Sequence, residues 1–124
     1  MKKDVKIPGS EIVIRHATPR DCEQVYKVHI TSIRHFCSDY YSTEVVLAWI
    51  SSKSLDAYRN LPNNIISIIA ENDGIIFGFG FLNLKNRSID SLYLLPHRER
   101  KGYGKAILFR LEEIARNAEI RELG

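Results

Sequence analysis

The stretch at residues 92–105 holds the groups best suited to bind a ligand. A β-rich run leads into a cation-rich loop, and Gly102 and Gly104 then open directly into a helix-forming segment. The N–H groups of a first helical turn have no partner within the helix, and with the positive end of the helix dipole they favour an anion. Glycine lets ligand oxygens approach the backbone, and Lys101 and Lys105 can add charge. The segment therefore predicts a phosphate-binding loop, although the glycines alone would also suit a plain strand-to-helix turn.

Three other glycine motifs do not fit this loop. A Walker loop needs four residues between its glycines and a hydroxyl after the lysine, whereas one residue separates these glycines and an alanine follows Lys105. A dinucleotide fingerprint needs a third glycine where Ile107 stands. Residues 101–104 match half of an RNA-recognition strand motif, but residues 105–108 are helix-forming instead of alternating aromatics. Nucleic-acid binding through the RNA-recognition or P-loop route is therefore not expected.

The excess positive charge of the chain lies in the same loop. The net charge of the whole chain is +3. Residues 98–105 contain one acidic residue, Glu99, and four basic residues, so this segment also sums to +3. The basic residues are Arg98, Arg100, Lys101 and Lys105. Such a local excess favours a bound anion over a general affinity for nucleic acid.

Length and composition predict one packed, water-soluble domain. The chain has 124 residues, of which 44% are hydrophobic and 27% charged. Its longest apolar stretches, at 65–70 and 75–82, are far shorter than the roughly 18 residues of a membrane span, so no membrane partner is expected. The basic N-terminus runs into Pro-Gly-Ser instead of an apolar segment, so a cytoplasmic location is expected. Cys22 and Cys37 have no metal-ligand spacing, which predicts reduced thiols and no metal site.

Hydrophobic patterning predicts a mixed set of strands and helices. Strands are expected at 11–15, 65–71, 75–84 and 88–95, with a hairpin at Asn72-Asp73-Gly74. A first helix is expected after Thr18, a second over 43–50, a weak one within 51–63 and an amphipathic one over 107–118. The final residues, 119–124, are expected to approach a further strand.

Two helices carry polar residues whose environment the pattern also predicts. His29 lies on the apolar stripe of the first helix, so it is expected to be a core residue without a catalytic role. The wet face of the last predicted helix is expected to contain Arg110, Glu112, Glu113 and Arg116.

These segments resemble the GNAT superfamily of N-acetyltransferases. Residues 14–21 are similar to the first strand and capped first helix of that family, and residues 89–96 to its central strand. The loop at 99–104 is similar to the pyrophosphate loop Arg/Gln-x-x-Gly-x-Gly/Ala, with Glu99 in the first position. The resemblance implies an α+β fold with a central, mixed, mostly antiparallel sheet flanked by helices. It assigns 11–124 to the domain, with the C-terminal strands missing, and 1–10 to an N-terminal extension.

The resemblance also implies acetyl-CoA as co-substrate and a primary amine as acceptor, without a metal. The pantetheine arm would pair with the backbone of Leu92 and Leu94, and the N–H of Leu94 would be the oxyanion donor. Asp90 would be the general base, since strand alternation places it on the face of Leu92 and Leu94. The pyrophosphate would lie on Arg100, Lys101, Gly102, Tyr103, Gly104 and Lys105.

An alternative function is a non-catalytic module that binds CoA or a protein partner. A central strand without a neighbour exposes unpaired N–H and C=O groups, which favours pairing with another chain. The sequence therefore also predicts a homo-oligomer formed through an uncovered sheet edge.

Overall fold

A computed structural model of the chain describes residues 4–7, 11–37, 39–51, 54–98 and 101–123. Its strands are β1 (Val5–Lys6), β2 (Ile12–His16), β3 (Ile65–Asn72), β4 (Ile75–Asn83) and β5 (Ser88–Leu94). Its helices are α1 (Cys22–Cys37), α2 (Thr43–Ser51), α3 (Leu55–Arg59) and α4 (Tyr103–Leu123). Short 3₁₀ turns at Pro19–Asp21 and Pro96–Arg98 precede α1 and follow β5. The expected α+β class is confirmed, and no helix in these ranges is both long and apolar enough to cross a bilayer.

The five strands form one sheet in the order β1-β2-β3-β4-β5, with antiparallel pairing throughout the described chain. One face packs against α4, where Ile107 and Leu111 join a core that includes Ile14 and Phe77. The opposite face packs against α1, where Val25 and Val28 join a second core that includes Phe79. We call these the α4 face and the α1 face. Strand β5 is the last in this order, so one of its long edges has no neighbouring strand among the described residues; we call it the open edge.

The β3–β4 hairpin follows the turn predicted from sequence. Asp73 and Gly74 both have positive φ, 52° and 82°, which is the geometry of a two-residue type I′ turn. Asp tolerates this left-handed region and glycine favours it, so the Asp-Gly pair fixes where the chain reverses.

Two β-bulges change which side chains share a face. Ala70 pairs with Gly78 and Glu71 with Ile76, so Phe77 is an extra residue in β4. Because of it, the consecutive residues Phe77 and Gly78 both lie on the α4 face, where regular alternation would put them on opposite faces. Gln24 of α1 accepts the N–H of Ile76 at 2.9 Å, so the bulge is tied to that helix. The second bulge lies in β5 and is described with the site.

Two glycines of β4 allow α4 to lie close to the sheet. A Cβ at Gly80 would lie 2.8 Å from Leu111 and 2.9 Å from Ile107, and one at Gly78 would collide with Leu94. No side chain fits at either position without moving α4 or β5. These glycines therefore set the distance between the helix that follows the loop and the strand that precedes it.

The structure corrects three expectations about the chain ends and α4. Val5–Lys6 pairs with Ile14 and Val13, so part of the 1–10 segment, expected as an extension, belongs to the sheet. The segment expected to approach a further strand continues α4 to Leu123. Arg110, expected on the wet face, is buried and pairs with Glu113 at 2.6 Å, because its position follows the buried Ile107 by three residues.

A partly buried ion-pair network joins β2, the start of α1 and β3. Arg15 donates to Asp21 at 2.8 Å and to Glu71 at 3.0 Å. Asp21 also accepts the backbone N–H of Thr18 at 2.7 Å, so the acid caps the entry to α1. Burial alone would raise the pKa of Asp21, but hydrogen bonds from Arg15 and Thr18 and the charge of Arg15 together lower it.

Candidate functional site: the open edge of β5 and the start of α4

The backbone of β5 directs N–H and C=O groups away from β4 along its outer edge. Leu95 donates its N–H to the carbonyl of Phe77 at 2.7 Å, and Tyr93 lies directly opposite Phe79. Alternate residues of an antiparallel ladder bond to the same neighbour, so Leu92 and Leu94 direct their N–H and C=O groups away from β4. This orientation is the one needed for the predicted pairing with an extended ligand chain.

Ser32 of α1 holds the last residue of that edge. The side chain of Ser32 is fully buried, and its hydroxyl donates to the carbonyl of Leu94 at 3.0 Å. The N–H of Leu94, which points in the same direction along the edge, is not involved in this bond. The contact fixes the end of β5 against α1 at the residue predicted to donate to the oxyanion.

The start of α4 presents a row of backbone donors. Gly102 has φ +84°, and its carbonyl accepts the N–H of Ala106 at 3.1 Å as the first turn of the helix closes. Within the described ranges, no protein acceptor is found for the N–H groups of Tyr103, Gly104 and Lys105. Such groups, at the positive end of a 21-residue helix, favour an anion.

The loop and the strand edge meet at one point. A Cβ built on Gly104 would lie 3.7 Å from the side chain of Leu94. The lysines at 101 and 105 are exposed and free to reach an anion at the helix start. Arg100, predicted to bind the pyrophosphate, and Glu99 lie outside the described residues.

Phe77 anchors both flanks of the loop. The guanidinium of Arg98 lies 4.6 Å from the centre of the Phe77 ring, and the ring of Tyr103 packs edge-on against it at 5.0 Å. The side chain of Tyr103 is therefore used in packing, and its backbone N–H is the group available to a ligand.

Asp90 does not share a face with Leu92 and Leu94. Phe81 pairs with Ser91 and Leu82 with Ile89, so Asp90 is the extra residue of the second bulge. Its exposed carboxylate accepts the hydroxyl of Ser88 at 2.6 Å and the side-chain N–H of Asn83 at 3.2 Å.

The face of Asp90 follows from its partner in β4. Asn83 lies two residues after Phe81, which packs against the α1-face core. Asp90, bonded to Asn83, therefore lies toward the α1 face, whereas Leu92 and Leu94 lie against Gly80 and Gly78 on the α4 face. The prediction that these three residues share a face is wrong, because alternation fails across a bulge.

The α1 face carries a cluster of rings beside β5. His29 is 6% exposed, as expected for a core residue, and its Nδ1 is hydrogen-bonded to the hydroxyl of Tyr58 on α3. The imidazole also lies 4.5 Å from the Tyr93 ring and 5.5 Å from the Phe79 ring. Burial, with a smaller effect of Tyr26 and Tyr93, raises the pKa of Tyr58 to about 12. The phenol is therefore neutral at physiological pH.

This ring cluster borders a cleft of about 330 Å³. The cleft lies between α1, α3 and the middle of β5, and it includes Ser91, which directly precedes Leu92. The other described lining residues are His29, Ser54, Ala57, Tyr58, Leu61 and Phe81. A concave, mostly apolar cleft with a few hydroxyls, next to the open strand edge, has the character of a small-molecule site.

The comparison with protein families decides the identity of this arrangement. The model of the acetyltransferase (GNAT) family matches residues 23–123, which include both the β5 edge and the loop before α4. The chain belongs to the GNAT family. No curated protein sequence shows significant similarity to it.

Solved structures agree with the GNAT assignment. The chain is similar to PaiA N-acetyltransferase from Thermoplasma acidophilum, crystallised with coenzyme A, at 27% identity and a TM-score of 0.74, over 88% of this chain and 74% of that one. It shares its fold with a GCN5-related N-acetyltransferase from Rhodopseudomonas palustris, at 24% identity and a TM-score of 0.75, over 93% and 72%. A GNAT acetyltransferase from Brucella melitensis in complex with acetyl-CoA matches at 21% identity and a TM-score of 0.58, over 86% and 70%.

The sequence indicated one side of this candidate site, the loop and the β5 edge, and gave no indication of the other, the cleft beside His29 and Tyr58. The loop and the β5 edge lie within one continuous stretch, and their residues carried a recognisable motif. The bond between His29 and Tyr58 spans 29 positions and depends on how α3 packs, so no local spacing indicates it. The only available signal was a histidine on an otherwise apolar helical stripe.

Proposed function

We propose that this chain transfers an acetyl group from acetyl-CoA to an amine. The observation that carries the proposal is the set of N–H groups at 103–105, for which the described residues supply no acceptor, beside the edge of β5 at Leu94. Family membership and the coenzyme A complex of the similar Thermoplasma enzyme support the choice of co-substrate.

The cofactor would lie along the β5 edge and the start of α4. The pantetheine arm would pair with the backbone of Leu92 and Leu94, which faces away from β4. The diphosphate would accept the N–H groups of Tyr103, Gly104 and Lys105, with the exposed ammonium groups of Lys101 and Lys105 nearby. We include Arg100 as a further cation and Gly102 as the left-handed residue that starts the helix.

The chemistry would be a direct transfer within a ternary complex. The neutral amine attacks the thioester carbonyl carbon, the carbonyl oxygen becomes negatively charged, and the N–H of Leu94 donates to that oxygen. This attack forms the C–N bond; the tetrahedral intermediate then collapses, the C–S bond breaks, and the CoA thiolate leaves and takes up a proton from water. Asp90 would accept the proton of the amine through water, because its carboxylate is exposed and oriented by Ser88 and Asn83.

The open edge of β5 supports a second candidate, an interaction module. A second copy of the chain, added along that edge, would occupy the backbone groups of Leu92 and Leu94 that pantetheine would use. Homo-oligomerisation and cofactor binding would then compete. Acetyl-CoA is therefore expected to shift any oligomer toward monomer, which light scattering with and without the cofactor would detect.

Calorimetric titration with acetyl-CoA and CoA, followed by a thiol-release assay over a panel of amines, tests the proposal. Binding with turnover is the expected result, binding without turnover would favour a non-catalytic module that binds CoA, and absence of binding would contradict acetyl transfer and leave only pairing with a protein partner. In the same assay, Asp90→Asn should lower kcat by about 10- to 100-fold and leave acetyl-CoA affinity unchanged. Asp73→Asn makes the same chemical change in the exposed hairpin turn and should alter neither value. Wild-type turnover by the Asp90 variant would exclude it as the base.

A further inference from the structure

The cleft on the α1 face is placed where an acceptor could reach the β5 edge. Ser91 lines it and adjoins Leu92 in sequence, and Tyr93, on the same strand, packs against the lining residue His29. A second cavity of about 240 Å³ lies toward β2 and β3, but none of its described lining residues belongs to β5. The cleft between α1, α3 and β5 is thus the better candidate for a reactant that must meet a ligand on β5.

The walls of this cleft are aromatic, aliphatic or hydroxyl-bearing. Its described lining residues include no carboxylate. The nearby acids lie outside this lining: Asp90 is the carboxylate proposed to take the proton of the reacting amine, and Asp56 is exposed and lies 3.6 Å from Arg59. A molecule with two or more ammonium groups would leave a charge unpaired in such a cleft, which is costly. A molecule with one amine and an apolar body matches these walls.

Tyr58 and His29 provide the polar contact in this apolar setting. The hydroxyl of Tyr58 is fixed by Nδ1 of His29, and its oxygen keeps a lone pair that can accept one N–H of an incoming amine. The phenol stays neutral at physiological pH, because burial raises its pKa to about 12, so it cannot supply the negative charge that a second ammonium would need. The pair of Tyr58 and His29 can therefore orient one amine, but it cannot neutralise the charge of further ammonium groups.

We propose that the cleft between α1, α3 and β5 is the acceptor pocket and that it selects primary amines with one amino group on an apolar or aromatic body. In this arrangement Tyr58 contacts the amine, and His29 is a positioning residue that acts through Tyr58. The inference rests on the proposed acetyl transfer and goes beyond it by naming the acceptor class and the residues that select it.

The selectivity of the wild-type chain gives the first test. We would measure kcat/KM for 2-phenylethylamine and for 1,4-diaminobutane with acetyl-CoA saturating. The expected ratio favours the aromatic monoamine by at least about tenfold, consistent with the cost of an unpaired charge. A preference for the diamine, or binding of acetyl-CoA without acetylation of either amine, would overturn the assigned acceptor class while leaving cofactor binding intact. Failure to bind acetyl-CoA at all would overturn the proposed function itself.

A carboxylate introduced at Ser54 tests the pocket by gain of function. Ser54 is exposed, lines the cleft and caps α3 by accepting the N–H of Ala57 at 3.2 Å. Asp and Asn cap helices as well as Ser does, so Ser54→Asp and Ser54→Asn should both fold. Relative to the Asn variant, the Asp variant should shift the kcat/KM ratio toward the diamine by about two- to fivefold. Equal ratios in the two variants would contradict the location of the pocket.

The positioning role of His29 is tested by a pair of variants with acetyl-CoA affinity as the check on folding. His29→Asn keeps a polar group near the place of Nδ1, whereas His29→Leu removes it. His29→Leu and Tyr58→Phe should each raise KM for 2-phenylethylamine by about fivefold or more, with unchanged acetyl-CoA affinity, and His29→Asn should restore part of the loss. A KM unchanged by Tyr58→Phe, or no difference between the two His29 variants, would overturn the assigned roles.

Discussion

The two faces of the sheet are built differently, and the proposed function assigns the cofactor to one kind of surface and the acceptor to the other. On the α4 face, the glycines of β4 bring an apolar helix close, and the groups offered to a ligand belong to the backbone. On the α1 face, the helix is attached through polar and aromatic side chains: Arg15 with Asp21, Ser32 with Leu94, and His29 with Tyr58. A backbone site suits a ligand shared by a whole family, whereas a side-chain site can vary from one acceptor to another.

The largest expected effect comes from obstructing the backbone donors of α4. Gly104→Val places a branched side chain over the first helical turn. The variant should still fold, because only Leu94 lies within 4 Å of a Cβ at this position. Each charge-assisted hydrogen bond to the diphosphate contributes about 1.5–3 kcal/mol, so acetyl-CoA affinity should fall by about 100-fold or more. Calorimetry measures the loss, and Asn117→Val, an exposed change on the same helix, is the control. Unchanged affinity in the Gly104 variant would show that the cofactor does not use this turn.

A smaller effect, on stability, is expected from removing the carboxylate of Asp21 at the start of α1. The pKa of Asp21 is lowered in the folded protein, so its contribution to stability is complete above its ordinary value of about 3.9 and is lost as pH falls through the lower folded value. At pH 7, Asp21→Asn should lower the free energy of unfolding by about 2 kcal/mol. This is less than the roughly 3–5 kcal/mol for breaking a fully buried pair, because Arg15 retains its ion pair with Glu71.

Urea unfolding of the wild type and the variant between pH 7 and pH 3 measures this contribution. The difference between them should shrink as the pH falls below about 4. Glu11→Gln removes an acid of the exposed pair with Lys6 at 3.6 Å, and it should change stability by less than about 0.5 kcal/mol. A difference independent of pH would show that Asp21 acts by packing alone.

The smallest expected effect is on stability, and it distinguishes Gly80, which packs against α4, from Gly104, which faces the proposed ligand site. Gly80→Ala puts a methyl group 2.8 Å from Leu111 and 2.9 Å from Ile107, so it should destabilise the fold by about 1–2 kcal/mol. Gly104→Ala meets only a contact at 3.7 Å, and alanine favours the helix, so it should be neutral or stabilise by up to about 1 kcal/mol. Urea unfolding measures the stability of both variants, and a similar loss of stability in the two would contradict the distinction between these glycines.

The sequence predicted the parts of the fold that depend on local chemistry. The Asp-Gly turn, the main strands and the helix starts follow from backbone preferences and hydrophobic period, and the structure has them close to the expected positions. The loop before α4 was also predictable, because its glycines, cations and helix start are contiguous. The short strand Val5–Lys6 carries too little pattern to be recognised, and only its pairing with β2 reveals it.

What could not be predicted depends on irregular register and on tertiary packing. A bulge at Asp90 moves that side chain to the other face of β5, and the sequence pattern contains no sign of the extra residue. Arg110 follows polar periodicity but is buried beside the core of α4. The bond between His29 and Tyr58 depends on the position of α3, which only the packed structure supplies.

The central claim is that the first turn of α4 binds the diphosphate of coenzyme A beside the β5 edge. Two-dimensional ¹H–¹⁵N NMR spectra of the labelled chain, recorded during titration with coenzyme A, test it residue by residue. We expect the largest amide shifts at Tyr103, Gly104 and Lys105, with further shifts at Leu92 and Leu94. Saturable binding with unchanged amides at these five positions would contradict the account.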